Sequence, residues 1–334
     1  MQILADLPEN AVVRASALRP LLTHFTGACD DLPASLVAAF GAAGLDPTGV
    51  ADGYARIPLR SYLAVFEEAA RLADDPWLGA RIGSAIRPGD LAPIGVLVMQ
   101  SGSIWRGFQR LSRLITALQS RTEMLLGRDD DLVSLEYRVI GVEPGHYPQD
   151  AAFSLAAVCQ LIRLGFDGDW APEEVHLVQP VTDPQPLEQL FGALVTGGQS
   201  ANRIYCDAQQ AKRIVRSEDA DLITVILRHV GQHLMGAGAV SLAHRVRALI
   251  AVRLGNQPVT IAAIAAELGM TPRSLQRKLA RSGQNMGALI TQERQRLLVG
   301  LEGEGIHSRA EIARRLGYAD ATVLWRARQS WPKR

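Results

Sequence analysis

"TIAAIAAELGMTPRSLQRKLARSG", Thr260–Gly283, holds two short amphipathic helices around a Gly-Met-Thr corner. Thr260 supplies a cap for a helix over Ile261–Leu268, where Ile261, Ile264 and Leu268 share one face and Ala265 is small enough to let another helix approach. Gly269 stops that helix. Thr271 caps a second one, and Pro272 takes its first position, where the missing N–H costs no hydrogen bond. At about 100° per residue, Leu275 and Leu279 turn back toward the first helix, whereas Arg273, Gln276, Arg277, Ala280 and Arg281 point away from it. A helix-turn-helix needs this arrangement, with a bracing first helix and a second that enters the major groove of DNA. The candidate DNA-contacting residues are therefore Arg273, Ser274, Gln276, Arg277, Lys278 and Arg281. Arginine bonds guanine bidentately and glutamine adenine, while further Arg or Lys groups hold phosphates. The plainer reading is a surface helical hairpin with a basic face.

The layout repeats 49 residues on, in "SRAEIARRLGYADATVLWRARQSW" (Ser308–Trp331). Ser308 and Glu311 form a capping box, Ile312, Ala313 and Leu316 an apolar face, Gly317 the corner, and Asp320 the cap of a new arginine-bearing helix. Projected on that helix, Val323, Leu324, Ala327 and Trp331 face inward with Arg328 at the margin. Thr322, Trp325, Arg326 and Gln329 face outward as a second set of DNA-contacting candidates. Between the two units, "MGALITQERQRLLVGLE" (Met286–Glu302) reads as one helix of ~24 Å. Successive major-groove faces lie ~34 Å apart, so such a helix suits two groove-entering units.

Charge supports the same division. The 334 residues carry a formal +1, yet residues 1–239 hold 19 Lys/Arg against 28 Asp/Glu (−9) and residues 240–334 hold 16 against 6 (+10). A length above one typical domain and a 48% hydrophobic content predict two folded units. Three scattered cysteines, Cys29, Cys159 and Cys206, give neither a disulfide framework nor a zinc-ligand spacing. With no N-terminal signal and no apolar run of ~18 residues, a cytoplasmic protein with no membrane partner is expected.

The first two-thirds reads as α+β. Helical periodicity covers Ala34–Ala43, Leu59–Ala73 and Ile104–Gln119, and alternation on both sides of an Asp-rich corner predicts a β-hairpin over Arg121–Val139. A helix at Gln149–Leu164, a strand at Glu173–Pro180, a helix around Pro186–Val195 and a strand at Asn202–Asp207 follow. The next helix, about Ser217–Leu234, carries His229 and His233, but no Glu or Cys completes a metal set; Asp129–Asp131 reads as a solvated turn. "MGAGAV" (Met235–Val240) reads as the linker. Walker, GxSxG and HExxH motifs are absent, and "GLEGEG" (Gly300–Gly305) lacks a preceding strand, so no catalytic residue, cofactor or metal is assigned.

On these residues the C-terminal third resembles the AraC/XylS class of bacterial transcription regulators, through "IAAELGMTPRSLQRKLARSG", "ERQRLL" and "AEIARRLGYAD". Gly44–Gly95 is similar to the arabinose-binding-type sensor domain of ornithine-utilisation-type and virulence-type members. The last helix departs from the family pattern, with "LWRAR" (Leu324–Arg328) replacing an aromatic-flanked segment and the chain stopping at "WPKR". The resemblance implies an effector-responsive regulator that binds double-stranded promoter DNA, contacts RNA polymerase and is often a homodimer.

The expected architecture is an α+β regulatory domain over 1–235, a linker at 236–240 and an all-α DNA-binding domain with two helix-turn-helix units over 241–334. In the sensor, Arg60, Tyr62, Trp105 and Tyr137 are candidate ligand contacts, offering a charge and stacking surface to an unidentified small-molecule effector. The rival expectation is a small-molecule-binding or enzymatic domain with an accessory basic helical domain.

Overall fold

The computed structural model describes the chain apart from residues 1–6, 9–10, 27–31, 51, 130, 236–241, 255–257, 304–307 and 332–334. Its backbone divides into two compact units, Met1–Ile223 and Thr224–Arg334. Residues 236–240, read above as the linker, and Cys29 lie outside the described residues.

In the first unit, β1 (Val12–Arg14) and β2 (Arg56–Pro58) pair antiparallel. A five-stranded sheet contains β3 (Thr122–Asp129), β4 (Leu132–Val139), β5 (Glu174–His176), β6 (Leu194–Thr196) and β7 (Asn202–Asp207), ordered β3-β4-β7-β5-β6. Only β5 and β6 run parallel. Alternate residues of β4 (Val133, Leu135, Tyr137, Val139) and β7 (Asn202, Ile204, Cys206) are buried, the period of strands with one covered face. The intervening positions carry ion pairs, Arg203 with Glu136 and Arg138 with Glu123, each at 2.7 Å.

The helices of this unit are α1 (Arg19–Thr26), α2 (Ala34–Ala42), α3 (Leu59–Ala73), α4 (Leu78–Ser84), α5 (Ala92–Met99), α6 (Ile104–Leu118), α7 (Pro148–Gly165), α8 (Gln185–Phe191) and α9 (Ala208–Lys212). Pro148 starts α7, whose "AAFSLAAVCQLI" is apolar nearly all round; the helix is accordingly central, lying against β4, β7, α3, α4 and α5. Gly79 and Gly83, one turn apart on α4, permit its close approach, because a Cβ at either would collide with a carbonyl oxygen of α7, that of Gln149 or Phe153. Ser103 caps α6 by accepting from the Arg106 N–H at 3.2 Å.

The structure corrects two expected boundaries. The strand expected over Glu173–Pro180 is confined to β5: the Leu177 N–H still bonds the Thr196 carbonyl of β6, but that of Val178 leaves the ladder for the Asn202 side chain. The helix expected to Val195 ends at Phe191, where Gly192 takes φ 69° and the chain turns into β6.

α10 (Ala220–Met235) spans the division between the units, and α11 (Leu242–Arg253), α12 (Ile261–Glu267), α13 (Pro272–Arg281), α14 (Met286–Gly303), α15 (Arg309–Arg315) and α16 (Ala321–Gln329) follow. The second unit has two small cores. One joins Val246, Leu249 and Ile250 of α11 to Ile264 and Ala265 of α12, Leu275 and Leu279 of α13, and Leu289 of α14. The other joins Leu254 and the far end of α14 (Leu297, Leu298, Leu301) to Ile312, Ala313 and Leu316 of α15 and Leu324 of α16. α14 thus contributes to both, one end to each helix pair. Among the described residues no single helix is long and apolar enough to cross a membrane.

Candidate functional site

The first helix pair is built as its caps dictate. Thr260 Oγ1 accepts from the Ala263 N–H at 3.1 Å, Thr271 Oγ1 from the Ser274 N–H at 3.2 Å, and Gly269 makes the corner at φ 64°. Leu275 and Leu279 are buried against α11, α12 and α14, which fixes the rotation of α13 about its axis. Arg273, Gln276, Arg277, Lys278 and Arg281 are consequently exposed, and Ser274 is half-buried. None of the four cationic groups pairs with a carboxylate among the described residues. Their charges are therefore available to an outside partner.

Neighbouring helices brace this pair with polar ties. Arg253 of α11 pairs with Glu267 of α12 and donates from Nε to the Pro258 carbonyl at 3.1 Å, and Arg247 donates to Gln292 of α14 at 2.8 Å. In the second pair, Arg294 of α14 donates from Nε to the Leu316 carbonyl at 2.9 Å and lies over the Tyr318 ring, 4.0 Å from its centroid.

On α16, Asp320 caps the helix by accepting from the N–H groups of Thr322 (2.7 Å) and Val323 (2.9 Å). Thr322, Arg326 and Gln329 are exposed, and Trp325 is 61% exposed. Val323, expected to face inward, is 40% exposed. The helix docks along one stripe, with Leu324 buried and Ala327 and Trp331 half-buried at i+3 and i+7, and Val323 falls one step outside it.

The candidate ligand contacts of the first unit are only partly brought together. Tyr62 and Tyr137 are buried and both line a cavity of about 20 Å³, whereas Arg60 is exposed and the buried Trp105 lies away from the lining. The walls are mostly aliphatic and aromatic, including Leu91, Ile94, Leu111, Ile115, Phe153 and Val158; Gln119 and Ser154 join the two tyrosines as its polar members.

Behind that polar end lies Asp150, fully buried in the first turn of α7. The Tyr137 hydroxyl donates to its Oδ2 at 2.5 Å and accepts from Gln119 Nε2 at 2.8 Å, while the Tyr62 hydroxyl faces the same carboxyl. Asp150 Oδ1 makes no hydrogen bond of ordinary geometry. Burial pushes the Asp150 carboxyl up to about 6, against the lowering effect of its Tyr137, Tyr62 and Gln119 hydrogen bonds. Burial likewise raises neighbouring Glu67 to about 7, opposed by the hydrogen bond it accepts from the Gln149 N–H and reinforced by Asp150.

Asp150, Gln119 and Ser154 were not among the sequence-derived candidates. Their only local signal is polarity in apolar surroundings, as in "PQDAAF", where one acid opens an otherwise apolar helix. No group of His, Cys, Asp or Glu among the described residues is arranged to hold a metal ion. His229 is half-buried, and nothing is described of the His233 side chain.

Comparison with known proteins places these features in a family. Residues 34–215, over half the chain and all within the first unit, match the arabinose-binding domain of AraC transcription regulators, N-terminal. The chain is 26% identical over 279 residues to the HTH-type transcriptional regulator VirS of Mycobacterium tuberculosis, in strains CDC 1551 and H37Rv alike, covering 82% of this chain and 81% of that protein. The crystal structure of transcriptional regulator CdpR from Pseudomonas aeruginosa overlaps 89% of this chain and 93% of its own, at 20% identity and a TM-score of 0.42. By the match across its first unit, the chain belongs to the family of AraC transcription regulators that carry this arabinose-binding type of N-terminal domain.

Proposed function

We propose that the protein is a sequence-selective regulator of transcription in which α12–α13 and α15–α16 are two helix-turn-helix units binding double-stranded promoter DNA. The exposed basic face of α13, set by two buried leucines and free of ion pairs among the described residues, carries this reading. On it, Gln276 and Arg277 read base edges, Ser274, Lys278 and Arg281 hold the backbone with Arg273, and Thr322, Trp325, Arg326 and Gln329 make a second contact surface. The regulatory domain is taken as 1–235 and the DNA-binding domain as 241–334, in a cytoplasmic homodimer that contacts RNA polymerase and performs no catalysis.

The first unit is the effector-binding part. Glu218, shortly before α10, accepts from the Gly102 N–H (2.7 Å) and from Arg110 Nη2 (2.9 Å), holding the outgoing chain on the turn between α5 and α6. Both of those helices also line the cavity, so a ligand there acts on the support of α10. A gel shift with the DNA upstream of the protein's own coding sequence, in excess unrelated competitor, tests the proposal. A retained complex is expected, and binding that competitor abolishes in proportion to its mass contradicts it.

A further inference from the structure

The cavity's lining restricts what it can hold. We propose that it takes a small apolar molecule with one hydrogen-bond-donating head, of the alcohol or phenol class, rather than a sugar or an anion; this rests on the reading of the first unit as effector-binding.

Three observations carry the inference. First, a polyhydroxylated molecule would press several hydroxyls against Leu91, Ile94, Leu111, Ile115 and Phe153, where none finds a partner. Second, among the described residues no Lys or Arg lines the cavity, and the carboxyl behind its two wall tyrosines is that of Asp150, itself close enough to Glu67 to raise its proton affinity. An anionic head would meet a like charge and no cation. Third, the donor and acceptor roles at the polar end are unequal. Tyr137 already donates to Asp150 Oδ2 and accepts from Gln119, and the Tyr62 hydroxyl in the cavity wall turns its proton to the same buried carboxyl, so the group left over on the wall is an acceptor, the Tyr62 oxygen. A head that donates completes this network; one that only accepts does not.

Size bears on the tail. At about 20 Å³ the cavity has room for little more than a water-sized group, so a bound ring or alkyl chain displaces wall side chains. Met124 on β3, unbranched and with three rotatable bonds, is the wall residue best suited to yield.

The test is thermal unfolding of the full-length protein with phenol, anisole, hexanoate and arabinose, with DNA affinity measured on the same samples. Phenol is expected to raise the melting temperature saturably, and anisole, the same ring without the donor, to bind about tenfold or more weakly. Hexanoate and arabinose are expected to leave it unchanged. Asp150→Asn should erase the preference for phenol over anisole, and Tyr62→Phe, which keeps the ring, should reduce it if the first variant does not fold. A shift from arabinose or hexanoate but not phenol, equal shifts from phenol and anisole, or no shift from any of the four overturns the ligand class. A selective phenol shift with DNA affinity unchanged upholds that class and overturns the effector reading instead.

Discussion

Gln276, Arg277, Lys278 and Arg281 are all exposed on one helix, and the proposed roles divide them by position along it. Gln276 and Arg277, nearer the N-terminus of α13, are assigned to adenine and guanine edges, and Lys278 and Arg281 to the phosphates. Alanine at Gln276 or Arg277 should cost about 1–3 kcal/mol on the best site and relax preference at one base pair. Alanine at Lys278 or Arg281 should weaken all sequences alike. Measured on a panel of single-base-pair variants, a uniform loss from all four would remove the assignment of base-reading roles. A second residue-scale expectation concerns pH. The folded Asp150 carboxyl is raised from 3.8 to about 6 and Glu67 from 4.5 to about 7, so both bind protons more tightly folded than unfolded. The stability they contribute is full below pH ~4 and is lost as pH rises through 6 to 7. The first unit's melting temperature should therefore fall between pH 5 and pH 8 by more in the wild type than in Asp150→Asn; equal slopes would show that Asp150 does not titrate there.

At the scale of elements, α3 and β7 occupy the spans expected from periodicity, as does the β3–β4 hairpin from alternation, because each buries one regular face. The caps Thr260, Thr271 and Asp320 were legible for a related reason: a capping hydrogen bond reaches only two or three residues. β1, β2 and β6, each three residues long, were not legible, since their pairing is set by distant partners such as Val13 opposite Ile57. The Asp150 network was missed likewise, because Gln119, Tyr137 and Asp150 meet only once α7 packs on the sheet. Two expectations belong here. Thr271→Ala should destabilise the second unit by about 1 kcal/mol, seen as a shift of its denaturant midpoint at unchanged slope. Gly83→Ala should destabilise the first unit by more, about 1–3 kcal/mol, because the added methyl meets α7 backbone; an unchanged midpoint would mean that α4 can draw back freely.

Over the whole molecule, an almost neutral total conceals an acidic stretch 1–239 (−9) and a basic stretch 240–334 (+10). That asymmetry, with two cores belonging to the second unit alone, separates a basic part suited to the phosphates of DNA from an acidic part that would repel them. The most direct measurement of the central claim is fluorescence anisotropy of the full-length protein on a selected DNA site and on a scrambled duplex of equal length, across a salt series. The selected site should bind about 10³-fold or more tightly than the scrambled one, and the logarithm of affinity should fall steeply with the logarithm of salt as several cation–phosphate contacts are lost. Equal affinity for both duplexes, or an affinity insensitive to salt, would contradict a sequence-selective regulator acting through the basic face of α13.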